Sequence, residues 1–230
     1  MIIFGGTGDL SLRKLLPSMF RAFMEDEVPE NSRILVSSRK QADFDNTVET
    51  IKNAFKKFML KNEFNAKSFS DFEKYIVPVL VDVADYSKGW QELKTQFEGR
   101  ESIPRIFYLA IIPSIYGDCC ENIDKAALVT EDSRVVVEKP IGYDQESAEA
   151  INQKIAQHFQ EEQIYRIDHY LGKETVQNLL ALLFSNSLFE QFWDSKSIDH
   201  IQISINEKVG LEGRAGFYDG AGAMRDMVQN

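Results

Sequence analysis

Short β-rich runs alternate with helical periodicity through the first two thirds of the chain, and this alternation restricts the fold more than any other feature. The runs are "MIIF", "RILVSSR", "YIVPVLV", "RIFYLAI" and "RVVVE". The i, i+3, i+4, i+7 stripe of a helix with one buried face is formed by Leu12, Leu15, Leu16, Met19, Phe20, Phe23 and Met24. Continuous apolar strands joined by helices are typical of a parallel sheet covered on both faces. The sequence therefore predicts an α/β fold with a doubly wound parallel sheet over residues 1–165.

The helices between these runs are predicted from the same periodicity. We expect helices around Ser87–Phe97, after Pro113 and over Gln145–Phe159. Pro17 lies in the first predicted helix, where a proline is tolerated if it falls within the first turn.

Residues 166–230 have a different pattern. The run "TVQNLLALLF" predicts a helix, "SIDHIQISINEKV" has strand-like alternation at Ile198, Ile203 and Ile205, and "GLEGRAGFYDGAGAMRD" is a glycine-rich loop that leads into a helix. This pattern indicates an α+β domain. Because a self-standing domain usually needs about 100 residues, we expect these 65 to be the N-terminal part of an incomplete substrate and dimerisation domain.

Composition excludes several classes of function. Hydrophobic residues make up 43% and charged residues 27% of the chain, the balance of a soluble globular protein. The net charge of -10 disfavours binding to nucleic acid or to an anionic membrane. No apolar run approaches the roughly 18 residues of a membrane span, and no secretory signal is visible. The adjacent Cys119 and Cys120 predict no structural disulfide and favour a cytoplasmic location, and the histidine and cysteine spacing indicates no metal site.

A glycine turn, "FGGTGDL", joins the first strand to the first helix. This is the place where the pyrophosphate of a dinucleotide rests on backbone N–H groups at a helix N-terminus. The candidate cofactor-binding residues are Gly5, Gly6, Thr7, Gly8, Asp9 and Leu10. Ser11 occupies the position where a third glycine or alanine is usual, so a tight strand-to-helix turn without a ligand stays as the alternative. The strand before the turn and the helix after it favour a Rossmann-like nucleotide site.

The second strand ends in two cations, Arg39 and Lys40. An acidic residue at this position would bind the ribose hydroxyls of NAD, whereas a guanidinium can hold a 2′-phosphate with two hydrogen bonds. The pair therefore favours NADP as the cofactor. The alternative is a solvated cationic pair at the end of a strand.

A nine-residue stretch, "RIDHYLGKE", concentrates charged and titratable side chains around a tyrosine and a glycine. His169 and Lys173 are four residues apart, and they would share one face if the segment were helical. A phosphate monoester carries nearly two negative charges, so a protein of net charge -10 needs a local cluster of cations to bind it. The stretch therefore predicts a site for a phosphorylated ligand.

Six motifs together resemble the glucose-6-phosphate dehydrogenase family in sequence and in order. They are "GGTGDLSLRKLLPS", "RIFYLAIIPSIY", "EKPIG", "RIDHYLGKETVQN", "INEKVGLEGRAGFYD" and "AMRDMVQN". The resemblance covers the whole chain. It implies an enzyme of the pentose phosphate pathway that oxidises C1 of glucose 6-phosphate to a lactone and transfers hydride to NADP. It also implies a homodimer or higher oligomer for the complete enzyme.

The resemblance assigns roles to matching positions. In addition to the glycine turn and Arg39, it places Tyr116 and Lys139 near the nicotinamide and implies a cis Lys139–Pro140 peptide. The residues implied to bind the substrate are Lys139, which reaches the sugar, His169, Tyr170 and Lys173, which bind the sugar phosphate or ring, and Glu207 and Asp226, which bind sugar hydroxyls. Asp168 and Lys173 are implied in catalysis, since Asp168 matches the aspartate that orients a histidine base.

The base histidine of the family directly follows the motif that stands here as "RDMVQN". The chain ends at Asn230, so we expect it to lack the base and to be incomplete. Neither His158 nor His200 is a convincing replacement. A catalytically inactive NADP-binding short form is one alternative. Another is a sugar oxidoreductase of the glucose–fructose oxidoreductase type, which also has an "EKP" motif but leaves "RIDHYLGKE" unexplained.

Overall fold

A computed structural model of the chain describes residues 1–169, 171–204, 219, 222 and 224. The chain divides into two compact units, Met1–Ile167 and Asp168–Asn230. The first unit contains a six-stranded sheet and the helices that cover it.

All six strands of the sheet are parallel. They are β1 (Ile2–Phe4), β2 (Ile34–Ser38), β3 (Ile76–Leu80), β4 (Ile106–Leu109), β5 (Arg134–Glu138) and β6 (Ile164–Ile167). Their order across the sheet is β3-β2-β1-β4-β5-β6, so the chain builds outwards from β1 first on one side and then on the other. This is the strand order of a doubly wound dinucleotide-binding sheet, and the predicted fold class is confirmed.

Nine α-helices lie in the described part of the chain. They are α1 (Leu16–Met24), α2 (Gln41–Asp45), α3 (Thr47–Phe58), α4 (Ala66–Phe72), α5 (Trp90–Thr95), α6 (Tyr116–Lys125), α7 (Gln145–Ala156), α8 (Glu174–Phe184) and α9 (Ser187–Glu190). The last two belong to the second unit, where α8 confirms the helix that "TVQNLLALLF" predicts.

The core of the first unit has two layers, one on each face of the sheet. Side chains of β1 alternate between them, because Ile2 and Phe4 contact one layer and Ile3 contacts the other. Helices α5, α6 and α7 supply the first layer, and helices α1, α3 and α4 supply the second. The second layer contains fully buried phenylalanines such as Phe20 and Phe55, whose ring centroids are 5.3 Å apart. Full burial of one such side chain contributes about 1.5–3 kcal/mol to the free energy of folding, which explains why the apolar stripes dominate the sequence.

Pro17 is the second residue of α1 and so lies within its first turn, where a proline is tolerated. Helical backbone begins at Asp9, and residues Ser11–Leu15 form a π-helical segment that continues directly into α1. The N–H of Leu16 donates to the carbonyl of Ser11, five residues back. The proline ring would collide with a carbonyl in a regular α-helix, and the wider π turn shifts the carbonyls of this segment relative to that ring.

Two expectations differ from the structure. The helix predicted from Ser87 to Phe97 is confined to α5, because Gly89 has a φ of +80° and Asp85 closes a turn by accepting hydrogen bonds from Ser87. Residues 198–204, for which a strand was predicted, have no regular structure. A strand needs hydrogen bonds from a neighbouring strand, and no described residue pairs with this segment.

Candidate functional site

The carboxyl ends of β1 and β4 lie side by side at the point where the strand order reverses. In open parallel sheets, ligands bind in the crevice outside such a switch point. A cavity of about 420 Å³ opens here, and its lining includes Gly5, Thr7, Gly8, Ser38 and Arg39. The sequence-predicted glycine turn and the cation after β2 are therefore brought to one cavity.

The glycine turn has a geometry that side chains would prevent. Gly5 has a φ of +80°, and a Cβ atom on it would lie 2.3 Å from the main-chain oxygen of Ala110. A Cβ on Gly6 would lie 2.5 Å from Cγ1 of Val36. The turn is closed by the N–H of Gly8, which donates to the carbonyl of Gly5 at 3.0 Å. These two glycines therefore bring the main chain close to β2 and β4.

Hydrogen bonds from β2 and from the helix fix the turn in place. The N–H of Gly5 donates to Oγ of Ser37 at 3.1 Å, and the N–H of Gly6 donates to the Ser37 carbonyl at 3.0 Å. Ser11 is fully buried, and its Oγ donates to the Gly5 carbonyl at 2.9 Å. Ser11 stands where a third glycine is usual, and its hydroxyl therefore joins the helix to the turn. Sequence reasoning missed this role.

The helix N-terminus that follows the turn supplies donors for an anion. The first N–H groups of a helix have no intrahelical acceptor, and they carry the positive end of its dipole. Asp9 and Leu10 form this first turn, and the Asp9 carboxylate is exposed and pairs with Arg13 at 3.2 Å. The main chain of these residues, rather than the Asp9 side chain, is what an anionic ligand would contact.

The end of β2 combines a buried hydroxyl with two exposed cations. Ser38 is 4% exposed and its Oγ has no hydrogen-bond partner among the described residues, while Arg39 and Lys40 are exposed. A buried hydroxyl without a partner is costly, which is typical of a site that a ligand or a water completes. The cavity, the helix N-terminus and the cation pair together fit a dinucleotide that carries a 2′-phosphate.

Lys139 follows β5 at the same edge of the sheet, and its peptide bond to Pro140 is cis, which confirms the expectation from the resemblance.

Tyr116, by contrast, is 1% exposed, and its hydroxyl donates to the Glu138 carbonyl at 3.1 Å. Burial raises the pKa of Tyr116 to about 12. The ring of Tyr116 lies in the core. The contact with the cofactor that the resemblance implies for this residue stays a prediction.

The second unit begins with the rest of the charged motif. Asp168 is half-buried, and its Oδ1 accepts a hydrogen bond from the N–H of Leu171 at 3.3 Å. His169 and Lys173 are exposed, and Lys173 is the residue that precedes α8. Residues 168, 169 and 171–173 are not helical, so the condition under which His169 and Lys173 would share a helical face is not met.

Three of the predicted substrate-binding residues, Tyr170, Glu207 and Asp226, lie outside the described residues. The register of the sheet relates the two remaining motifs. Glu138 pairs with Ile167 across β5 and β6, and Lys139 and Asp168 follow these two residues in sequence. Glu138, the first residue of "EKPIG", and Ile167, the second residue of "RIDHYLGKE", thus both lie at the carboxyl edge of the sheet.

The two adjacent cysteines are free thiols in α6. Both side chains are fully buried, and burial raises the pKa of each thiol, that of Cys120 to about 12. Within the described part of the chain, no helix is both long and apolar enough for a membrane span, and no cluster of side chains could hold a metal ion.

Comparison with known proteins identifies the family. Residues 2–178 match the family model described as glucose-6-phosphate dehydrogenase, NAD binding domain, and residues 180–230 match the model for the C-terminal domain. The chain is 48% identical over 229 residues to the glucose-6-phosphate 1-dehydrogenase of Rhizobium meliloti and 41% identical over 230 residues to that of Gluconobacter oxydans. These alignments cover 100% of this chain but only 46% and 47% of those proteins.

Solved structures give the same result. The structure is similar, with a TM-score of 0.85 and 34% identity, to the crystal structure of glucose-6-phosphate 1-dehydrogenase from Mycobacterium avium. A glucose-6-phosphate dehydrogenase in complex with its substrate glucose 6-phosphate matches with a TM-score of 0.85 and 33% identity. Both matches cover 100% of this chain and 48% of the other, so the chain spans about half the length of its relatives. On its sequence, its sheet and its glycine turn, the chain belongs to the glucose-6-phosphate dehydrogenase family.

Proposed function

We propose that the protein to which this chain belongs oxidises C1 of glucose 6-phosphate to 6-phosphogluconolactone, with hydride transfer to NADP. The observation that carries the proposal is the match to both family models over residues 2–178 and 180–230. The related proteins are named glucose-6-phosphate 1-dehydrogenase, and one related structure holds glucose 6-phosphate. The reaction is the first step of the pentose phosphate pathway.

The cofactor site of the proposed enzyme is the cavity beside the glycine turn. Main-chain N–H groups from Gly5 to Leu10 would hold the pyrophosphate, because they lie at the positive end of a helix. Arg39 would hold the adenosine 2′-phosphate, for which its planar guanidinium offers paired donors. NADP, when bound, supplies the hydride acceptor.

The substrate side of the site combines cations with an orienting carboxylate. Lys139 would reach the sugar, and His169, Tyr170 and Lys173 would bind the sugar phosphate or the ring. The proposal assigns the sugar hydroxyls to Glu207 and Asp226. Asp168 would orient a histidine base and stabilise its cation while the base removes the proton from O1. The half-buried position of Asp168 suits this role, because its carboxylate is already held by the N–H of Leu171.

The test uses the whole protein as its source organism makes it. NADPH formation should require glucose 6-phosphate, and free glucose at the same concentration should give a much lower rate. A sugar oxidoreductase without need of the phosphate would use both sugars alike. Saturable NADP binding without turnover would instead indicate a non-catalytic nucleotide-binding protein, and either result would overturn the proposed reaction.

Two further properties belong to the same proposal. A cytoplasmic location is supported by the two unpaired, adjacent thiols, which suit a reducing compartment. A homodimer or higher oligomer is supported by the family resemblance. Sedimentation of the whole enzyme would test the second property, and a monomer at micromolar concentration would contradict it.

A further inference from the structure

Glu138 is held by two tyrosines that come from different elements. Its carboxylate accepts a hydrogen bond from the hydroxyl of Tyr108 in β4, and its main-chain carbonyl accepts one from the hydroxyl of Tyr116 at the start of α6, at 3.1 Å. Glu138 is the last residue of β5 and is 7% exposed. The side chain and the main chain of one residue are therefore both fixed, immediately before Lys139.

The two tyrosines approach from opposite faces of the sheet. Tyr116 packs in the layer that contains Trp90, and Tyr108 packs in the layer that contains Phe20. Their exposed fractions are 1% and 8%, so each ring is immobilised by core packing. The donors thus have fixed positions in two separate layers, and Glu138 cannot move without breaking a bond to one of them.

Both hydroxyls act as donors throughout the working range of pH. Burial raises the pKa of Tyr116 to about 12, and burial together with the bond to Glu138 raises the pKa of Tyr108 well above its ordinary value. A buried carboxylate costs free energy unless it is hydrogen-bonded. The bond from Tyr108 therefore compensates for part of the cost of placing an acidic residue at this buried strand end.

Tyr116 does not contact the cavity at the glycine turn, whose lining reaches Ile115 but does not include Tyr116. We propose that Tyr108 and Tyr116 are positioning residues: together they clamp Glu138 and so fix the place of Lys139 at the carboxyl edge of the sheet. The catalytic consequence rests on the proposed function, in which Lys139 contacts the nicotinamide end and the sugar. The clamp itself is a property of the first unit alone.

The experiment compares three tyrosine-to-phenylalanine variants of the whole enzyme. Tyr108→Phe and Tyr116→Phe each remove one hydroxyl of the clamp and keep the ring that packs in the core. Tyr86→Phe is the matched control, because its hydroxyl also donates to a main-chain carbonyl, that of Lys125, at 3.1 Å, but lies away from Glu138. For each variant, kcat, the KM for glucose 6-phosphate, the Kd for NADP and the melting temperature are measured.

We expect kcat to fall about tenfold or more in both clamp variants, because a shift of a reacting group by about 1 Å can cost about a hundredfold in rate. The Kd for NADP should stay within about twofold of the wild-type value in Tyr108→Phe, since the cofactor phosphates are held elsewhere and Tyr108 is not among the residues implied to contact the cofactor. Tyr86→Phe should leave kcat unchanged. A lower melting temperature with unchanged kcat in the clamp variants would show a purely structural role and would overturn the proposal.

Hydrogen exchange separates the clamp from the proposed reaction. Peptides that cover residues 135–142 should exchange faster in Tyr108→Phe and Tyr116→Phe than in the wild type or in Tyr86→Phe. If the wild-type enzyme does not oxidise glucose 6-phosphate, the proposed function fails, and faster exchange still supports the clamp. Unchanged exchange in both clamp variants overturns the clamp whatever the activity.

Glu138→Gln serves as a second variant if either phenylalanine variant fails to fold. The glutamine keeps an oxygen acceptor for Tyr108 and a similar volume, and it removes the charge. We expect its exchange over residues 135–142 to match the wild type. Exchange faster than that of the wild type would mean that the charge, and not the hydrogen bond, holds the strand end, and this would contradict the clamp.

Discussion

The guanidinium of Arg166 makes two hydrogen bonds to the carboxylate of Glu161, from Nη1 to Oε1 at 2.6 Å and from Nη2 to Oε2 at 3.2 Å. Its Nε donates to Oδ1 of Asn152 in α7 at 2.9 Å. The pairing lowers the pKa of Glu161 through the hydrogen bond and the charge of Arg166. The first cation of "RIDHYLGKE" therefore joins β6 to α7 and to the turn before the strand, and it is a structural residue of the motif.

Arg166→Met should lower the melting temperature slightly and leave the KM for glucose 6-phosphate within about twofold of the wild-type value. The reason is that the removed contacts are internal to the first unit, and a partly exposed ion pair contributes little to stability. Thermal unfolding and steady-state kinetics of the whole enzyme check the two expectations. A large rise in the KM would show instead that Arg166 binds the phosphate.

Gly5→Ala should destabilise the protein far more than Gly99→Ala. Both glycines have a positive φ, +80° and +69°, but a Cβ at Gly5 would strike the main chain of Ala110, whereas nothing lies within 4 Å of a Cβ at Gly99. Positive φ alone costs about 1 kcal/mol for alanine, and the collision at Gly5 should raise the total to more than about 3 kcal/mol. Urea unfolding of both variants measures the difference, and equal losses would refute the close approach.

Arg39→Ala should weaken NADP binding about tenfold to a hundredfold and change NAD binding by no more than about threefold. The lost interaction is with the 2′-phosphate, which NAD does not have. Arg21→Ala is the control, because it removes an exposed guanidinium that pairs with Glu63 at 3.0 Å. Fluorescence titration with each cofactor gives the dissociation constants. Equal weakening of NADP and NAD binding would contradict the assignment of Arg39.

The free energy of unfolding should fall as the pH rises from about 9 towards about 12. The pKa of Cys120 is raised to about 12 by burial, and that of Cys119 is raised well above its ordinary value by burial and by its neighbours. A group whose pKa is higher in the folded than in the unfolded state favours folding below the unfolded pKa and loses this contribution as the pH rises to the folded pKa.

Urea unfolding at neutral pH and at about pH 10.5 tests this expectation, with a Cys119→Ala, Cys120→Ala double variant as the control. The loss of stability between the two pH values should be smaller in the double variant. The two tyrosines that hold Glu138 also have raised pKa values and should account for part of what remains. An equal loss in both proteins would show that the thiols do not contribute.

The periodicity of the sequence is sufficient to predict the sheet and most of its helices, because each element buries a continuous apolar run or stripe. The glycine turn was predictable for a related reason, since Gly5 and Gly8 stand where a strand must turn into a helix. The role of Ser11 was not, because its hydroxyl acts on a carbonyl six residues away only after the turn has formed. No local pattern marks such a contact.

The remaining differences between the sequence prediction and the structure come from contacts between distant elements and from local backbone conformation. The bond between Tyr108 and Glu138 joins two strands whose residues are 30 positions apart, and each residue alone has the pattern of an ordinary strand end. The early end of the predicted helix at Ser87 depends on the left-handed conformation of Gly89. Residues 198–204 alternate apolar and polar side chains as a strand would, but a strand forms only where a neighbouring strand offers hydrogen bonds.

The pairing of Glu138 with Ile167 makes the spacing of two motifs independent of the chain that connects them. Insertions or deletions in the connection, which contains α7, would change the length of a surface helix and its turns without moving Lys139 relative to the end of β6. A shift of β6 by a single residue would have the opposite effect, because it would reverse the facing of every side chain in that strand. The position of Lys139 beside the end of β6 is therefore set by the sheet register and not by the length of this connection.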